Sequence, residues 1–352
     1  MTSPQTSQSP AANHSRAGRV VELGHPWRGI GPFLFAVHHL DAYPAGNAEM
    51  GPATGVDDRQ LGSDFGHPSG WNMYHGTTIP GFPAHPHRGF ETITVVRRGV
   101  VDHADSTGAS ARYGNGDVQW VTAGKGVSHS EVFPLVNADR DNPFELYQIW
   151  LNLPARDKTA DPEFTMQWSE DIPVVVHDED GAKATVRVIA GAFGSATALE
   201  PPKHSWASDP AADVAIWLID LEPHARVDLP APASTDTRRM LYVHGEAARV
   251  EIDGATVESG LGFEQSRASA LALANGDEPS TILVLQGAEI GEPVVQYGPF
   301  VMNSAEEIDQ AYSDYRRTRF GGWPWGSDAP VHPRTEGRFA RFPSGRVERP
   351  GQ

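Results

Sequence analysis

The chain has 352 residues, 39% of them hydrophobic, no cysteine and a formal net charge of −17. The length suits two domains better than one small core, and the acidic balance disfavours direct nucleic-acid binding because phosphate backbones repel it. Without cysteine there are no disulfides, no thiolate nucleophile and no sulfur ligand, so any metal site must be built from His, Asp and Glu.

Residues 1–18 are rich in Ser, Thr, Pro, Gln and Ala, and are expected to form a disordered tail. They lack the apolar stretch of a signal peptide, and no segment further on is long and apolar enough to span a membrane, so the expected location is the cytoplasm. From residue 19 short apolar runs broken by Gly, Pro and Asp predict a first β domain over 19–155. A Gly/Pro/Asp-rich loop, 43–69, precedes the densest strand signals and is placed to cover the mouth of that domain. ETITVVRRGVVDHADSTG reads as two strands turning at Arg98-Gly99, and ELYQIWLNLP as a strand closed by Pro154. The charged stretch 156–182 is expected to be a linker. TVRVIAG, DVAIWLIDLEP, RRMLYVHGEAARVEIDG and STILVLQGAEIG then predict a second β domain over 183–298. A helix is expected within 299–320. Ser304 and Glu307 have capping-box spacing, and Ile308, Ala311, Tyr312 and Tyr315 share one face. Residues 321–352, rich in Gly, Pro and Arg, are expected to be an extended tail.

The segment HPHRGFET carries the chemistry. Alternate side chains of a strand face the same way, so His85 and His87 can present two imidazoles to one ion. His129 and Glu131, in GDVQWVTAGKGVSHSE, have the same spacing. Together they make a three-His, one-carboxylate set suited to iron and also to manganese, nickel, copper or zinc. Strand parity alone leaves Glu91 open as the carboxylate, since it matches His85 in parity unless Gly89 breaks the strand. Arg88, Glu91, Gln119 and Lys125 are candidates to orient the ligands, with Glu91 otherwise pairing with a cation. His103 and Asp105 are expected to bond the backbone of a hairpin turn, and His75 is at most a cavity-lining residue. His38 and His39 are adjacent and cannot share a strand face.

HPHRGFETITVV, HADSTG, GDVQWVTAGKGVSHSE and GEPVVQYGPFVMNSAEEI resemble the pirin family over about residues 21–320. The resemblance implies an all-β fold of two stacked, jelly-roll type cupin barrels followed by a short helix. It implies one metal, usually Fe2+, held in the N-terminal barrel by His85, His87, His129 and Glu131. Ala231 and Ala233 stand where the second barrel would need its first His pair, so that barrel is expected to hold no such ion. The resemblance further implies a dioxygenase of the quercetin 2,3-dioxygenase type, with a small aromatic substrate, O2 and Glu131 as the catalytic proton acceptor. The alternative it implies is a metal- or redox-sensing protein that binds a transcription factor or metabolic enzyme.

Overall fold

Short runs of β-branched and aromatic residues separated by glycine turns dictate strands here, and in the computed structural model, which describes residues 15–351, the regular elements are mostly strands. The expected 1–18 tail lies for the most part outside the described residues, and Gly18 already belongs to a strand. The described chain forms two compact β units that are interleaved in sequence.

One unit comprises residues 25–172, 198–212 and 289–351. Its first sheet runs Glu163–Gln167, Val118–Thr122, Phe90–Arg98, Asn142–Asn152, Phe33–Tyr43, Trp27–Arg28 in spatial order. Its second runs Val347–Glu348, Phe339–Arg341, Ser110–Gly114, Val100–Asp105, Val127–Val132, Gly81–His87. Neighbours are antiparallel, and the inward side chains of both sheets fill the interior. Register decides which residues those are. Thr92, Thr94 and Val96 lie opposite Trp150, Gln148 and Leu146, which in turn lie opposite Phe35, Val37 and His39. Val96, Val101, Tyr113, Phe133 and Leu146 form one core cluster from both sheets.

The other unit comprises residues 15–24, 173–197 and 213–288. A seven-stranded sheet from Gly18–Glu22 at one edge to Val174–Glu179 at the other accompanies a four-stranded sheet. Trp217, Phe263 and Leu241 are among its fully buried side chains.

Three boundaries differ from the sequence expectation because strand pairing is non-local. Gly18–Glu22 pairs with Leu261–Gln265, so the chain enters through the second unit. The expected linker 156–182 carries two strands, Glu163–Gln167 against Val118–Thr122 and Val174–Glu179 against Ala182–Ala190. The expected extended tail is ordered: Phe339–Arg341 adds a strand to Ser110–Gly114, and Phe342 stacks on Phe164 at 4.9 Å. The helix Ala305–Thr318 starts where its cap predicts. Ser304 accepts from the Glu307 amide, Glu307 returns the bond, and Ile308 and Ala311 face inward. Among the described residues no helix is long and apolar enough to cross a membrane.

The loop before the ligand strand has a built interior. The Arg59 guanidinium lies 3.2 Å above the Trp71 ring and donates to Asp64 at 2.6 Å, to the Gly55 and Trp71 carbonyls, and to Ser69. Asp64 also accepts from the Met73 amide at 2.7 Å. A buried arginine with its donors satisfied holds this segment in one conformation, and its far end reaches the cavity described next.

Candidate metal centre

Strand Gly81–His87 pairs antiparallel with Val127–Val132, and the register puts His85 directly across from His129. Two-residue spacing then aims His87 and Glu131 at the same interior. The imidazole centroids lie 4.5 Å (His85 to His129), 4.8 Å (His87 to His129) and 4.8 Å (His85 to His87) apart. One nitrogen from each comes within 4.8 Å of the others, close enough to hold a metal ion. Glu131 is not a member of that set; its Oε2 stands 3.8 Å from His129 Nε2.

The surroundings fix each ring. His85 Nδ1 donates to the Pro83 carbonyl at 2.8 Å, which leaves Nε2 with its lone pair free. His87 is boxed by Phe90 at 5.1 Å and Trp150 at 5.2 Å, themselves stacked at 4.0 Å. Glu131 receives Thr94 Oγ1 at 2.9 Å, Gln148 Nε2 at 3.1 Å and Tyr113 OH at 3.4 Å, so three donors set its carboxylate plane. Burial lowers the pKa of His85 and holds those of His87 and His129 well below the ordinary imidazole range. The cluster is therefore neutral, the state a metal ligand requires.

The residues fit a metal on one observation above all. Both ring nitrogens of His129 and Nδ1 of His87 are buried with no hydrogen-bond partner. Each such orphan costs roughly 1–3 kcal/mol, and a coordinated cation takes up one nitrogen of each ring.

Glu91 is elsewhere. Gly89 has φ +84°, and a Cβ there would lie 2.0 Å from the Val301 carbonyl oxygen, so the chain turns sharply between the two sheets and strand parity restarts. Lys158 Nζ clamps this turn through the Gly89 and Val301 carbonyls and Asn152 Oδ1. Glu91 points away from the interior and accepts from Thr122 at 2.7 Å and Ser205 at 2.6 Å, not from a cation. Burial pushes its pKa up to about 7 against these two bonds. The folded value lies above the usual 4.5, so this contribution to stability is complete below about pH 4.5 and is lost as pH rises to about 7. Glu91→Gln keeps both hydroxyl partners and does not titrate. Relative to the parent, it should gain up to roughly 3 kcal/mol in urea unfolding between pH 5 and 8. A difference that stays flat across that range would contradict the assignment.

Of the other residues expected to orient ligands, Arg88 pairs with Asp314 at 2.8 Å and Lys125 with Asp161 on the surface. Gln119 lies opposite Thr94 in the interior, with its amide unpartnered. The residues that do orient the site, Thr94, Tyr113 and Gln148, come from three strands far apart in sequence and carry no local signal. His103 is not a turn residue. It is fully buried across from Glu131, with its ring 5.5 Å from His129 and Nε2 3.3 Å from Asp105. Asp105 does serve the turn, accepting from Thr107 and Ala109.

A cavity of about 660 Å3 opens onto His85, His87 and Glu131. Phe35, Phe82, Phe133, Tyr74 and Trp150 wall it, and Phe65, Gly66 and His75 reach it from the loop side.

Two β units with a histidine cluster on paired strands of one of them define a bicupin. Comparison with known proteins agrees. The Pirin family profile matches residues 61–151 and that of the pirin C-terminal cupin domain matches residues 216–321. A Pseudomonas aeruginosa protein named "Putative quercetin 2,3-dioxygenase" is 36% identical over 68% of this chain and 79% of its own length. A pirin-like protein of Caulobacter vibrioides is 38% identical over 69% and 81%. The crystal structure of a quercetin 2,3-dioxygenase from Acinetobacter baumannii superposes with a TM-score of 0.64 at 29% identity, covering 88% of this chain and 96% of that one. The chain belongs to the pirin family.

Proposed function

We propose that His85, His87 and His129, with Glu131 as fourth ligand, hold one divalent iron ion, and that the protein is a dioxygenase opening the central ring of flavonol-like aromatics with O2. The observation that carries this reading is the aromatic-walled cavity leading directly onto the histidine cluster and Glu131. The names of the Pseudomonas and Acinetobacter relatives support the same substrate class. The ion would lower the pKa of a bound hydroxyl and offer open positions beside it.

The chain's own residues supply the rest. Trp150, Phe82 and Phe133 offer apolar faces to a planar ring and keep water from it. Glu131 accepts the proton of the substrate hydroxyl, and Gln148 and Thr94 hold its carboxylate toward the cavity while it does so. His85 is locked as the Nε2 donor by Pro83.

The test is oxygen-dependent loss of flavonol absorbance by iron-loaded protein. Glu131→Gln should keep the iron on three histidines yet lower kcat by about 10²–10⁴-fold. Loaded parent protein that leaves the flavonol spectrum unchanged under air would overturn the reading.

A further inference from the structure

The polar groups of the cavity wall are nearly all committed. Tyr74 OH donates to Asp41 at 2.8 Å, Asn72 donates to the same carboxylate at 3.0 Å, and His75 bonds the Gly62 carbonyl. Gln148 holds Glu131, and His38 bonds Glu145 at 3.2 Å. His25 stands at the exposed rim. His39 differs from all of these. Its ring lines the cavity and makes no hydrogen bond among the described residues.

His39 is nonetheless held firmly. Tyr74 meets it edge-on at 4.7 Å, Phe82 lies at 5.9 Å and Phe133 at 6.4 Å. Tyr74 adopts φ +57°, a left-handed conformation costly for an aromatic residue. Paired backbone bonds to Asp64 and the Asp41 carboxylate hold it there, with its ring stacked 5.3 Å from Phe82. Strain of this kind clusters at functional sites, and here it sits beside the cavity with the Tyr74 ring against His39. Burial, reinforced by His38 and His25, lowers the His39 pKa to about 3, so the ring is neutral and can both donate and accept.

Register gives its reach. His39 lies opposite Leu146, two residues along the strand from Gln148, and Gln148 touches Glu131. Two residues span about 7 Å. His39, one strand further over, therefore lies more than about 7 Å from Gln148 on the wall of the same cavity, where it can meet a second hydroxyl of a polyphenol whose first oxygen is directed at the histidine cluster.

We infer that His39 is a specificity-determining residue that hydrogen-bonds a second ring hydroxyl of the substrate, selecting polyhydroxylated aromatics over those bearing only the metal-directed oxygen. This rests on the flavonol reading above. The experiment is an anaerobic titration of the iron-loaded protein with two probes: quercetin, which carries the further hydroxyls, and 3-hydroxyflavone, which lacks them. His39→Phe should weaken quercetin binding about tenfold and leave 3-hydroxyflavone unchanged. His39→Gln, which keeps a hydrogen-bonding group, should restore most of the quercetin affinity. Under air the Phe variant should raise KM for quercetin with kcat held. If the Phe ring overfills the aromatic box, His39→Leu carries the same comparison. Equal losses for both probes, or none for either, would overturn the role of His39 while the flavonol reading stands. Parent protein that binds neither probe would overturn both.

Discussion

His129→Ala should bring bound metal from about one ion per chain to nearly none and abolish oxygen-dependent turnover. His129 is fully buried between His85 and His87, and both of its nitrogens lack a protein partner. Its removal leaves two imidazoles and a carboxylate whose oxygens are held back by Thr94, Tyr113 and Gln148, a set without the ligand that faces His85 across the strand pair and so expected to bind the ion far more weakly. The loss should far exceed the roughly 10–100-fold that removal of an orienting partner costs a metal site. A second readout needs no activity. Ferrous ion at 100 times its dissociation constant should stabilise the parent by about 2.7 kcal/mol. The variant's melting temperature should not respond to iron at all. Elemental analysis that still finds one ion per chain in His129→Ala, with the melting temperature still iron-dependent, would place the metal elsewhere.

Arg112→Ala should cost about 3–5 kcal/mol, the largest loss expected from a single change outside the metal cluster. Arg112 and Asp102 are buried in facing strands and joined by two bonds of 2.6 and 2.7 Å. The remaining guanidinium hydrogens reach the carbonyls of His332 (2.9 Å), Pro333 (2.7 Å) and Glu336 (3.1 Å), and Asp102 accepts from the His332 amide at 2.8 Å. This one side chain therefore joins the ion pair to the segment that precedes strand Phe339–Arg341. Alanine leaves the Asp102 carboxylate buried without its counter-charge and three carbonyls without donors. The melting temperature should fall by roughly 10 °C. Hydrogen exchange should rise over 332–341 and along Ser110–Gly114. Combining Arg112→Met with Asp102→Leu should recover much of the loss, because the stranded charge is then gone. A drop below about 1 kcal/mol in the single variant would mean that other contacts, such as those of Arg338 with Asp117 and Glu170, suffice to hold the segment.

Much of the candidate site was legible in local sequence because the residues proposed as its ligands come in pairs two residues apart. His85 with His87, and His129 with Glu131, face one way for the same reason that any alternate strand residues do. The capping box at Ser304 was legible for a similar reason, since a helix start is written within four residues. Glu91 was ambiguous because parity holds only while a strand continues, and the turn at Gly89 moves the chain from one sheet to the other. The ordered C-terminal segment could not be read from composition. Its strand, Phe339–Arg341, and the carbonyls around Arg112 meet partners more than 200 residues away.

The sequence by itself determined the β architecture, the family resemblance, the four residues expected at the metal and the start of the helix, each a consequence of periods of two or four residues. Only the tertiary structure decided that His85 lies across from His129, that Thr94, Tyr113 and Gln148 grip Glu131, and that Arg112 binds the C-terminal segment. It alone set His39 in an aromatic box on the cavity wall. Strand register produces all of these, and register is settled by which distant strand buries which face, a choice that no short stretch of sequence contains.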